Sequence, residues 1–160
     1  MAFVRKSDLI TIPTIKEDKD VKVVYIYKET IDDELDQQVL FSTALSYVSE
    51  EEEYDVICYR DDMWFGLTSS CKTCIYIGLD SADFPNPSQL LKFIDKKIWK
   101  LSSGFMNMDN IYTKIIITSI NPPDKIFETN KKWLEKVKTF EVIKLDWFLY
   151  HPFICQQHLL

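Results

Sequence analysis

Val21-Lys22-Val23-Val24-Tyr25-Ile26-Tyr27 is the stretch on which the fold turns. It is β-branched and aromatic almost throughout, which is what a strand in a buried sheet requires. Residues 30–48 follow it directly and carry a helical pattern. Thr30 is placed to cap the helix, and Asp32, Asp33 and Glu34 fall in the first turn, where the helix dipole favours carboxylates. Phe41, Ala44, Leu45 and Val48 share one face at 3.6-residue spacing, and Leu35 and Val39 lie on another flank. Burying both flanks in the core is the simpler expectation. The functional alternative gives Leu35 and Val39 to a partner protein.

Outward from this unit the pattern stays α/β. Upstream, residues 9–15 alternate apolar and polar with Pro13 inside, so they fit an edge or bulged strand. Residues 16–20 form a charged turn. Downstream, an acidic turn at 49–53 precedes three strands at 54–59, 63–68 and 74–79, the first two joined by a turn at Arg60-Asp61-Asp62. Asp83-Phe84-Pro85-Asn86-Pro87-Ser88 breaks the sheet and leads into a helix at 89–101, with Leu90, Leu91, Ile94, Ile98 and Leu101 inward. A strand at 112–120 is stopped by Asn121-Pro122-Pro123. An amphipathic helix at 124–138 then uses Ile126, Phe127, Trp133, Leu134 and Val137. A strand at 140–145 and an aromatic tail at 146–160, with a short helix broken near Pro152, complete one domain over residues 1–160.

Composition bounds the function. With 160 residues, 46% of them hydrophobic and 14% aromatic, the chain can bury a core. No apolar run approaches the roughly 18 residues of a membrane span, so insertion is not expected, although peripheral association through partners is compatible. The opening Met1-Ala2-Phe3-Val4-Arg5-Lys6 lacks an apolar signal region, which predicts reduced thiols in a cytosolic or nuclear protein, with a cytoplasmic setting the first expectation. A net charge of −6 argues against nucleic acid as a partner, because phosphate contacts need a positive field. The one basic cluster is Lys131, Lys132, Lys136 and Lys138. Three dispersed glycines, at 66, 78 and 104, cannot build a phosphate cradle, so no cofactor is expected.

Candidate chemistry is sparse. Cys71-Lys72-Thr73-Cys74 and Cys155-Gln156-Gln157-His158 together offer the three sulfurs and one nitrogen that zinc accepts. Against this, Cys71 and Cys74 sit at or beside a strand, where residues three apart face opposite ways. They are better explained as core or surface thiols, and no metal is expected. Asp61, Asp62, Asp80 and Asp83 sit in turns, where aspartate is favoured by its own backbone bonding. His151 and His158 have no carboxylate and nucleophile spaced to form a catalytic set. No catalytic residue is expected, and the chain is read as a non-enzyme.

Several segments resemble the divergent longin domains of Rab exchange heterodimers. They are Val24-Tyr25-Ile26-Tyr27, Leu35-Asp36-Gln37-Gln38-Val39, Cys74-Ile75-Tyr76-Ile77-Gly78 and Leu91-Lys92-Phe93-Ile94-Asp95, within residues 9–105. The resemblance implies a mixed, mainly antiparallel sheet of five or six strands flanked by helices, longin/profilin-like, with 106–160 as a strand-helix extension. It also implies a non-catalytic subunit of a heteromeric complex in membrane trafficking or small-GTPase regulation, pairing through Leu35, Val39 and a sheet edge. Two alternatives use the second half. Phe140-Glu141-Val142-Ile143-Lys144-Leu145-Asp146-Trp147 resembles the end of a BRCT domain, a phosphopeptide-binding module of DNA-damage complexes. Ile115-Ile116-Ile117-Thr118-Ser119 before a helix resembles a small proteasome assembly chaperone. These alternatives make distinct demands. The longin architecture treats the 112–119 strand as an addition, whereas the BRCT architecture centres a parallel sheet on it. A broad exposed apolar flank would favour an obligate partner.

Overall fold

Residues 21–29, 34–61, 63–68, 70–78, 84–95, 100–103, 106–109 and 111–145 are described by a computed structural model of the chain. The elements run β1 (Lys22–Tyr27), α1 (Glu34–Leu45), β2 (Tyr54–Arg60), β3 (Met63–Phe65), β4 (Thr73–Ile77) and α2 (Pro87–Asp95). Then come β5 (Lys100–Ser103), β6 (Met106–Asp109), β7 (Lys114–Ser119), α3 (Pro123–Ile126), α4 (Lys131–Val137) and β8 (Glu141–Lys144). The strand order is β6-β5-β3-β2-β4-β7-β1-β8.

The α/β class holds, with helices flanking a mixed sheet. Its centre differs from the mainly antiparallel arrangement expected: β2, β4, β7, β1 and β8 are all parallel. Antiparallel pairs are confined to β2 with β3 and β5 with β6. The cause is visible in the residues. Val23 through Ile26 and Ile115 through Ile117 are buried without alternation, and strands sealed on both faces are those of a parallel sheet. β7, an addition in the longin-like scheme, lies between β4 and β1.

Cross-strand register separates two faces. Val56, Ile75, Ile116 and Val24 form one row, and Ile57, Tyr76, Ile117 and Tyr25 form the next row on the opposite face. Leu40 and Ala44 of α1 pack on the first face with Val24, Ile75 and Ile116. Leu90, Phe93 and Ile94 of α2, Ile126 of α3 and Trp133 of α4 pack on the second. That second core is aromatic, with the Trp64 and Phe93 rings stacked at 4.5 Å and the Trp133 and Phe140 rings edge-on at 5.6 Å.

Three helical expectations are corrected. In α1 the sealed line is Asp36, Leu40 and Ala44, with Phe41, Leu45 and Val39 half-buried beside it. Apolar residues are spread around this helix, so periodicity alone did not single out its inner face. Helix 89–101 is described only to Asp95, and Leu101 belongs to β5. Helix 124–138 is two helices, α3 and α4. Asn130 starts the second by accepting a bond from Trp133 N at 2.9 Å, and Trp133 Nε1 donates to Pro123 O at 2.7 Å. The expected strand at 9–15, the cap at Thr30, Ile98 and the tail at 146–160 lie outside the described residues. Among the described residues no helix is long and apolar enough to cross a membrane.

Candidate functional site

In an open parallel sheet, ligands bind beyond the carboxyl ends of the strands, where neighbouring strands send their connections to opposite faces. Here that position is between β1, which leads to α1 on one face, and β7, which leads to α3 and α4 on the other. Its described lining is occupied by bonds within the chain. Lys28, directly after β1, reaches Asp36 of α1 at 3.8 Å, and both side chains are nearly sealed. Lys28 N donates to Ser119 O at 3.1 Å, Asn121 N to Ser119 Oγ at 3.0 Å and Tyr25 Oη to Asn121 O at 2.8 Å. Burial pushes the Tyr25 phenol well above its ordinary value, so it stays a neutral donor. Beside them Gly78 is covered by Phe84: a Cβ at position 78 would stand 2.6 Å from the ring.

A second polar cluster lies near the amino end of β2 and β4. Asp55 Oδ2 accepts from Tyr112 Oη at 2.6 Å and from Thr68 N at 3.0 Å, and Oδ1 accepts from Thr68 Oγ1 at 2.9 Å. Cys74 is fully buried and Cys71 nearly so. Burial pushes both thiols up, with the Asp55 charge adding to it, and this disfavours the thiolate that nucleophilic attack or zinc ligation needs. Cys155 and His158, the other half of the candidate zinc set, lie outside the described residues, as do His151, Asp62, Asp80 and Asp83. Asp61 occupies the β2–β3 turn at φ 51°.

The open feature is the face that carries α1. Tyr54 and Val56 of β2 project from it and are 38% and 44% exposed, in the part of β2 that pairs with β4 and lies before its pairing with β3. Closer to α1, a groove of about 490 Å³ is lined by Gln37, Gln38, Phe41, Ile77 and Thr118. The other candidate partner residues separate: Leu35 is 39% exposed on α1, whereas Val39 is half-buried against the core. Among the described residues, α1 is the helix packed on this face of the parallel strands, and a parallel sheet is normally covered on both faces.

Sequence reasoning missed Tyr54 and Val56, because an apolar strand residue gives no sign of which face its neighbours leave bare. It also missed Asp36, which does carry a signal, since it shares the i, i+4, i+8 line of Leu40 and Ala44. The lysine cluster is divided: Lys131, Lys132 and Lys136 line a groove between α2 and α4, and Lys138 pairs with Glu135 at 3.2 Å beside it. No family model matches this chain, and no curated protein matches its sequence.

Proposed function

We propose that this chain is a non-catalytic protein-interaction subunit of a heteromeric complex, docking through the α1 face of its sheet. The observation that carries the proposal is Val56, an apolar residue left 44% exposed on β2, the outermost strand of the parallel block. Tyr54 is exposed on the same face of β2, and Leu35 and the groove beside Phe41 are further open features of the α1 side. Covering such a residue contributes roughly 1 kcal/mol, and several together supply an interface core. The internally bonded crevice at the ends of β1 and β7 supports the non-catalytic part, because the polar groups at its described edge already hold one another. The trafficking or small-GTPase setting rests on the longin resemblance in the sequence alone.

A BRCT-like module is the second reading, and one observation favours it. β7 has parallel neighbours on both sides, as that architecture requires of its central strand. Affinity purification of the tagged chain from its native cell, with quantitative mass spectrometry, separates the two. Small GTPases, exchange factors or tethers in stoichiometric amount support the first setting. Checkpoint or repair proteins support the second, and recovery of the chain alone contradicts both.

A further inference from the structure

On the sheet face opposite Val56, α2 and α4 border a groove of about 1000 Å³. Its walls carry Lys92, Lys131, Lys132 and Lys136 against two carboxylates, Asp95 and Glu135, with half-buried Leu91 between them. Both carboxylates are already engaged: Asp95 with Lys136 at 2.6 Å, Glu135 with Lys138 at 3.2 Å. The Lys136–Asp95 pair links the two helices across the groove. Lys131 and Lys132 remain, both exposed, with no ion pair among the described residues. Their position runs against local preference, since α4 opens on two lysines and has no acidic residue in its first turn. A chain whose net charge is −6 has thus gathered lysines where they weaken a helix, and breaches of a local rule are expected at functional or strained sites.

We infer that this groove docks an acidic peptide segment of a partner protein, its carboxylates on Lys131 and Lys132 and an apolar side chain on Leu91. The match is one of charge: a positive trough on an otherwise negative molecule steers an acidic segment and repels a basic one. This surface is separate from the α1 face and does not depend on it.

The test is fluorescence anisotropy with a labelled peptide of Glu-Leu-Glu repeats, the whole chain being titrated in at rising ionic strength. Lys131→Glu/Lys132→Glu is the variant, its fold checked by circular dichroism. Lys131→Gln/Lys132→Gln is the milder companion in case the reversal unfolds α4. Binding by the parent chain that weakens with salt, and falls at least about tenfold in the reversed variant, is the expected result. Absence of peptide binding overturns the inference, as does binding by both charge variants equal to that of the parent chain. Preference for a single-stranded DNA oligonucleotide, or for a phosphoserine peptide over the glutamate peptide, overturns it as well.

Discussion

Val56 and Ile75 are cross-strand partners on one face of the sheet, yet Ile75 is sealed and Val56 is 44% exposed. The difference lies in what stands above them. Ile75 has Leu40 and Ala44 of α1 in its core, while Val56 lies outside that cluster. Two substitutions should therefore separate. Ile75→Ala opens a cavity and costs about 2–5 kcal/mol in chemical denaturation. Val56→Lys in the isolated chain changes stability by no more than about 0.5 kcal/mol.

Lys28 and Asp36 hold the end of β1 to α1 through a nearly sealed ion pair. Removing one partner takes a counter-charge from the other in a buried setting. Lys28→Met is expected to cost about 3–5 kcal/mol, and adding Asp36→Leu to it should restore much of the loss, since a well-packed apolar pair replaces a buried ion pair with little penalty. A double-mutant cycle by guanidinium denaturation measures this coupling.

Glu52 supplies the acid sensitivity. Burial would raise its carboxyl, but hydrogen bonds from Thr73, Ser49 N and Lys114 outweigh that and bring it from 4.5 to about 2. A depressed carboxylate favours the folded chain above its ordinary value. Its contribution is complete above pH 4.5 and is lost as pH falls towards about 2. Glu52→Gln should flatten the stability profile across that window, read from urea midpoints at successive pH values.

Tyr112 Oη donates to Asp55 in a buried setting. Tyr112→Phe keeps the ring against Phe93 but withdraws one donor from the carboxylate, which Thr68 continues to satisfy. The expected loss is about 1–2 kcal/mol. Burial pushes the Tyr112 phenol far above its ordinary value. Spectrophotometric titration should accordingly find this tyrosine un-ionised until the alkaline unfolding transition.

The sequence makes the strands at β1, β2, β4, β7 and β8 legible because each is a short apolar run bounded by charge, proline or turn residues. Their direction was not legible. Val24-Tyr25-Ile26 fits either kind of sheet until burial on both faces is known. The break between α3 and α4 was hidden because Phe127 continues the apolar pattern across it, and only the Asn130 cap marks the new start. The exposed apolar patch was hidden for a topological reason. Val56 is exposed because α1 packs over β7 and β1, and no local pattern at residue 56 records where that helix lands.

The docking of the α1 face is tested most directly by comparing two tagged forms of the chain, parental and Val56→Lys, purified in parallel from the native cell with quantitative mass spectrometry. The account predicts a stoichiometric partner with the parental chain and its loss, by about tenfold or more, with the variant, while both chains remain equally folded and abundant. An identical set of proteins at equal yield from both forms would contradict it.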